Sequence, residues 1–228
     1  MITSALLDSY TIHPQGVMQS ICFAIQDMMV QGVLPLGSRL PEVELCLQLG
    51  VSRPSLREAF RILQQQGLIK IEPRKGATVM SVSEDDLRSF CEFRAEIEDF
   101  ALRLALPNLT KSDNETMQMA VSVMEMCATN GNSRSILEAD KNFHNVIYRR
   151  SNNPYLVATL ENMSPKIRIY SFMYKYKHAQ FIQTWDRHKK LLEAYQSGDI
   201  QFALTANRHH ILVDSLNGSL EFLKLTEG

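Results

Sequence analysis

Residues 51–61 read Val51-Ser52-Arg53-Pro54-Ser55-Leu56-Arg57-Glu58-Ala59-Phe60-Arg61. Ser52 is a good N-cap and Pro54 falls in the first turn, where a missing N–H is harmless. The stretch therefore predicts a helix that runs to about Gln66 and is closed by Gly67. At about 100° per residue, Gln64, Arg57 and Arg61 lie within about 80° of Arg53 on one side, and Leu56 and Leu63 lie about 60–80° away on the other. One flank is cationic and long-armed, and the other is a core face.

Working upstream, Val17, Ile21, Ile25 and Met28 recur at helical spacing and predict a helix ending near Gly32. A loop with Pro35 and Gly37 leads to a second helix, Glu42 to Leu49, and Gly50 supplies the turn into the third. Downstream, residues 68–71 and 77–80 read as two short strands joined at Pro73-Arg74-Lys75-Gly76. Three helices and a basic-tipped hairpin make a winged helix-turn-helix. In that arrangement the third helix enters a DNA major groove, where an arginine can donate two hydrogen bonds to guanine, and Arg74 and Lys75 reach a phosphate or the minor groove.

The 228 residues include 24 Lys+Arg and 25 Asp+Glu, 45% hydrophobic residues, 10 Gly and 8 Pro, which excludes disordered and collagen-like sequence and points to two domains. No apolar run approaches the ~18 residues of a membrane span, and the start MITSALLDSY lacks the pattern of a signal peptide, so a cytoplasmic protein without membrane partners is expected. Cys22, Cys46, Cys91 and Cys127 are widely spaced and form neither a zinc ribbon nor a disulfide framework. The net charge of −1 conceals an uneven distribution: residues 1–80 carry +1, 81–140 carry −7 and 141–228 carry +5. Within the first block, Arg53, Arg57, Arg61, Lys70, Arg74 and Lys75 face only Glu58 and Glu72 in residues 51–80, a local +4.

Beyond Ser81 nearly every apolar pattern is helical. Ser83-Glu84-Asp85-Asp86 caps a helix to about Leu106, and further helices are expected at about 112–129, 134–150, 154–176, 178–197 and 199–222. The expected fold is thus mainly α: residues 1–82 form the winged helix-turn-helix and residues 83–228 an all-α six-helix bundle.

That bundle places polar residues where a simple helix would place apolar ones. Asp140 and His144 sit in the centre of a stripe with Ile136, Leu137 and Ile147; His188 sits among Trp185, Leu191, Leu192 and Tyr195; His210 shares its face with Ala203, Ala206 and Val213. Each histidine alone reads as a hydrogen-bonded core imidazole. Three histidines and a carboxylate facing one core need a shared partner, because an unpaired buried charge costs several kcal/mol. Their N and O atoms suit a divalent metal, Zn²⁺ first, with Ni²⁺, Mn²⁺ or Fe²⁺ as alternatives. Arg94 also projects from an apolar face, with Phe90, Ile97 and Ala101, and calls for an anion: Glu98 one turn on, or an acidic ligand. His13 and His178 have no such setting and read as surface residues.

The segments Pro35-Leu36-Gly37-Ser38-Arg39-Leu40-Pro41-Glu42, residues 51–61, Gly67-Leu68 and Pro73-Arg74-Lys75-Gly76-Ala77 resemble the operator-binding domain of the GntR family of bacterial transcription regulators. The resemblance implies that Arg53 and Arg57 contact bases or phosphates, that Arg39 and Ser55 contact the DNA backbone, and that Lys75-Gly76 form the wing tip. Ser52, at the helix N-terminus that can meet a phosphate, and Arg74 complete the DNA-binding set. Phe93-Arg94 with Ile97-Glu98, Asp140-x-x-Phe143-His144, Asn153-Pro154, His188-x-x-Leu191-Leu192 and Gly198-Asp199 followed by His210 resemble the FCD effector domain of the FadR-type branch. That likeness implies Asp140, His144, His188 and His210 as metal ligands and Arg94 as an effector contact.

The expected protein is a ligand-responsive regulator, a repressor, that binds double-stranded operator DNA as a homodimer and senses a small organic acid. It is not expected to be an enzyme. A metal-dependent hydrolase and a constitutive DNA binder with a purely structural metal are the competing readings.

Overall fold

The computed structural model describes residues 15–130, 133–178 and 181–226; His13 and the side chain of His178 lie outside the described residues. The chain divides into two compact units, Met1–Ser81 and Val82–Gly228. It is mainly α-helical with one small sheet.

In the first unit, α1 (Gln15–Val30), α2 (Glu42–Leu49) and α3 (Arg53–Gln65) surround a core that includes Ile25, Leu45, Leu56, Phe60, Leu63 and Leu68. Burial of each such side chain is worth about 1.5–3 kcal/mol. The positions of Leu56, Ala59, Phe60 and Leu63 on α3 explain why this helix is so strongly two-sided: all four are buried. The Ser52 hydroxyl accepts the Ser55 N–H at 3.3 Å and starts α3. Gly50 ends α2 in the left-handed region, at φ 65°, where a side chain would be strained.

Strands β1 (Arg39–Leu40), β2 (Ile69–Glu72) and β3 (Gly76–Val79) form an antiparallel sheet in the order β1-β3-β2. The sequence suggested only the β2-β3 hairpin. A strand of two residues has no periodicity to read, and β1 exists because Arg39 pairs with Thr78 and Leu40 with Ala77.

The second unit contains α4 (Glu84–Ala105), α5 (Lys111–Asn130), α6 (Ser133–Arg150), α7 (Pro154–His178) and α8 (Phe181–Gln196). Ser83 and Asp86 close a capping box at the start of α4. The last predicted helix, 199–222, begins at α9 (Ile200–His209), passes without a break through a π-helical segment at His210–Ser215 and ends in α10 (Leu216–Thr226). Asp199 caps α9 by accepting the N–H groups of Gln201 and Phe202. Leu102, Met117, Met124, Phe143, Leu160 and Leu191 belong to one buried cluster, and Phe143 packs edge-on against His144 and His188. The helical bundle thereby brings polar side chains from α4, α6, α8 and the π segment together. Among the described residues no helix is long and apolar enough to cross a membrane.

Candidate nucleic-acid interface and metal centre

Arg53, Ser55, Arg57 and Arg61 line the solvent side of α3, opposite its buried face. Arg57 donates from Nε to Glu42 Oε2 at 3.1 Å, and Arg61 pairs with Glu58 at 2.7 Å. Ser52 and Ser55 share a hydroxyl contact of 2.8 Å, so both act first as the helix cap. On the wing, Arg74 adopts the left-handed region at φ 66° and Gly76 at φ 89°, while Lys75 lies 3.4 Å from Glu72. Arg39 is on β1, exposed, opposite Thr78 of β3. The whole set predicted for DNA is therefore on the surface of one unit, and Arg57 and Lys75 each already have a carboxylate neighbour.

In the second unit, His144 from α6, His188 from α8 and His210 from the π segment are all buried, with ligand atoms within 4.8 Å of one another. His188 Nδ1 lies 2.8 Å from the Thr184 carbonyl. A carbonyl can only accept, so Nδ1 donates to Thr184 and Nε2 is the ring nitrogen that faces inward. That Nε2 meets His144 Nε2 at 3.4 Å and Asp140 Oδ1 at 3.1 Å. Asp140 thus adjoins the cluster formed by the three histidines. His210 Nδ1 is buried without a hydrogen-bond partner, and Asp214 Oδ2, at 3.9 Å, is too far to accept.

Burial pushes the His144 imidazole down to about 4 against the raising fields of Glu98 and Asp140. Burial, and then His188 and His144, push His210 well below its ordinary value. Inward-facing nitrogens, two imidazoles that burial holds neutral and an orphaned buried nitrogen fit a divalent cation, which would hold these groups together without a proton. In metal-free protein the sign of the pH effect follows: unfolded His144 takes up its proton near 6.5, and folded His144 resists until about 4. Folding stability should therefore decline as pH falls from about 6.5 towards 4. A urea midpoint that stayed level across this window in the presence of chelator would contradict it.

Arg94 and Glu98 lie together on α4, both buried, with Nε–Oε1 at 2.5 Å. Tyr148 from α6 donates to the same carboxylate oxygen at 2.9 Å. Burial opposes the charge of Arg94, and the field of Glu98 more than offsets it, so the guanidinium stays protonated. Arg94, Asp140, His144, Tyr148, Ser164 and Arg168 line a cavity of about 30 Å³. A larger groove of about 810 Å³, lined by residues of α5 and α6 such as Met119, Asn142 and Arg149, contains no histidine. Of the ligating groups, His144 and Asp140 line the small cavity.

Sequence reasoning missed three supports. Tyr148 is one turn beyond His144, but its partner is on another helix. Thr184 orients His188 through a backbone carbonyl, which any residue would supply. Buried Asp99 accepts from Asn207 at 3.0 Å and Arg208 at 2.6 Å, and Tyr195 donates to Asn207 at 3.2 Å, which anchors the helix that delivers His210. The available signal was Asn207, which lies on the same face of α9 as Ala203 and Leu204.

Residues 18–79 match the family described as bacterial regulatory proteins, gntR family, and residues 89–212 match the FCD domain. The chain belongs to the GntR family. The galactonate operon transcriptional repressor of Escherichia coli (strain K12) is 30% identical over 210 residues, covering 81% of this chain and 91% of that protein. A second relative, named "Probable D-xylose utilization operon transcriptional repressor", from Paenarthrobacter nicotinovorans, is 29% identical over 181 residues, 79% of each chain. The solved structure of E. coli McbR/YncC has the same fold, with a TM-score of 0.75 and 23% identity over 93% of this chain and 99% of that one. This GntR protein is a transcription regulator of the type with an FCD domain, and the family and its relatives are regulators, not enzymes.

Proposed function

We propose that the protein is a ligand-responsive repressor that binds operator DNA as a homodimer and senses a small organic acid at a divalent metal centre. Residues 1–82 read DNA, and residues 83–228 bind metal and effector and dimerise. One observation carries the reading: three buried imidazoles converge, and one of them, His144, lines with Asp140 a cavity that also presents arginines. His144, His188 and His210, joined by Asp140, would hold Zn²⁺, with Ni²⁺, Mn²⁺ or Fe²⁺ as alternatives. A bound ion supplies a Lewis acid for an effector oxygen. The acid then acts by binding unequally to the DNA-competent and DNA-incompetent arrangements of the dimer.

On the DNA side, Arg53 starts the recognition helix and has no acidic partner among the described residues, whereas Arg57 must leave Glu42 to reach a base. Arg53→Ala should cost about 1–3 kcal/mol of operator binding, and Arg57→Ala should cost less than Arg53→Ala. Fluorescence anisotropy on an operator selected from random duplex DNA measures both. Unchanged affinity in Arg53→Ala would sink this docking.

The central test is an electrophoretic mobility shift on that operator with galactonate, gluconate, citrate or oxalate, each with added Zn²⁺ or with chelator. Release of DNA by an acid only in the metal-loaded protein is the expected result. The small cavity favours one second reading, a constitutive DNA binder with a structural metal, because about 30 Å³ accommodates little more than a water molecule. Under that reading Zn²⁺ stabilises the protein and no acid releases the DNA.

A further inference from the structure

An imidazole that ligates an ion through one ring nitrogen needs an acceptor for the other, which fixes its tautomer and the plane of its ring. His188 has that acceptor in the Thr184 carbonyl, 2.8 Å from Nδ1. The other two histidines each have a carboxylate in the corresponding place. His144 Nδ1 lies 3.9 Å from Glu98 Oε2, and His210 Nδ1 lies 3.9 Å from Asp214 Oδ2. Glu98 is bound through Oε1 to Arg94 and Tyr148, which leaves Oε2 for His144.

The need is greatest at His210. Its side chain is only 9% exposed and its Nδ1 has no hydrogen-bond partner, a costly state for a buried polar atom. Asp214 follows on the same π-helical segment. Arg187, the neighbour of His188 on α8, brackets it: Nε lies 3.5 Å from Asp214 Oδ1, and Nη1 lies 3.5 Å from the Asp214 carbonyl oxygen. Oδ1 is thus engaged, and Oδ2 faces His209 at 3.7 Å and His210. His209 is 63% exposed, so water serves its ring, whereas His210 Nδ1 is shut away from water. A shift of about 1 Å brings Oδ2 within hydrogen-bonding distance of Nδ1. A neutral imidazole carries one proton, and holding it on Nδ1 leaves the lone pair on Nε2.

We propose that Asp214 is the positioning residue of His210: its carboxylate accepts a hydrogen bond from Nδ1 and so reserves Nε2 for the divalent ion. This rests on the metal reading above. Helix α8 then orders two of the three imidazoles, His188 directly and His210 through Arg187 and Asp214.

The test is metal binding by the full-length protein, read for Zn²⁺ by competition with a chelating dye and for Co²⁺ by its visible d–d bands, for wild type, Asp214→Ala, Asp214→Asn and His209→Gln. Asp214→Ala should bind Zn²⁺ at least tenfold more weakly and shift the Co²⁺ bands, because a ring free to turn no longer holds its place at the ion. Asp214→Asn should recover part of the affinity, since its amide oxygen still accepts. His209→Gln should bind metal as wild type does. Wild-type affinity in Asp214→Ala, or an equal loss in His209→Gln, would overturn the assignment while leaving the metal reading intact. So would a weakened site with unchanged Co²⁺ bands and no recovery in Asp214→Asn, the mark of a merely structural role. No binding of Zn²⁺ or Co²⁺ by wild type would overturn the metal reading itself and this assignment with it.

Discussion

Arg94→Met should destabilise the C-terminal unit by about 3–5 kcal/mol, the cost of leaving one member of a buried ion pair without its partner. The guanidinium and carboxylate are both buried, and Nε sits 2.5 Å from Oε1. With Arg94 gone, Glu98 keeps the Tyr148 hydroxyl but loses its counter-charge, and His144 Nδ1 at 3.9 Å is held neutral by its own burial. The carboxylate must then take up a proton or remain charged in a water-poor interior. The double variant Arg94→Met, Glu98→Leu removes both charges and should regain most of the loss, since well-packed apolar residues often replace a buried pair at little cost. Urea denaturation followed by circular dichroism reads both. A loss below about 1 kcal/mol in the single variant would mean that water reaches the pair.

The second large effect is that of the metal. Three inward-facing nitrogens and a neighbouring carboxylate are poorly satisfied by each other, so a divalent ion should stabilise the folded protein strongly. At free Zn²⁺ about a thousand times its Kd, linkage gives about 4 kcal/mol. In a unit of this size that is a rise of about 8–16 °C in Tm. His188→Ala removes the nitrogen that meets both His144 and Asp140, and should abolish bound zinc and the thermal shift together. Asp140→Asn should weaken the metal without removing it. Full zinc occupancy in His188→Ala, measured by elemental analysis, would exclude His188 from the centre.

The two halves of the chain differ in how far their function could be read. In α3 the helix period, the Ser52 cap and the Gly50 turn all act within a few residues, so the solvent-facing arginines were legible directly from spacing. That Arg57 is already held by Glu42 was not, because the contact joins two helices. In the bundle, the histidines and Asp140 were visible as polar interruptions of apolar stripes. Periodicity gives the face of each residue but not the height at which helices cross. It could not tell that the nitrogens of His144, His188 and His210 meet closely, or that Asp140 comes within 3.1 Å of His188. Nor could it foresee the π-helical segment at His210–Ser215, which interrupts the regular advance of the helix at the residue where His210 enters the centre.

The sequence by itself determined the architecture and the chemical types at the site, because caps, turns and apolar periods are local and each agrees with its neighbours. Only the tertiary structure decided the pairings: β1 against β3, Arg94 with Glu98 and Tyr148, Asp99 with Asn207 and Arg208. The physical reason is that a buried polar group takes whichever partner the packing of distant helices brings within about 3 Å, and that distance is not written in the spacing of either helix.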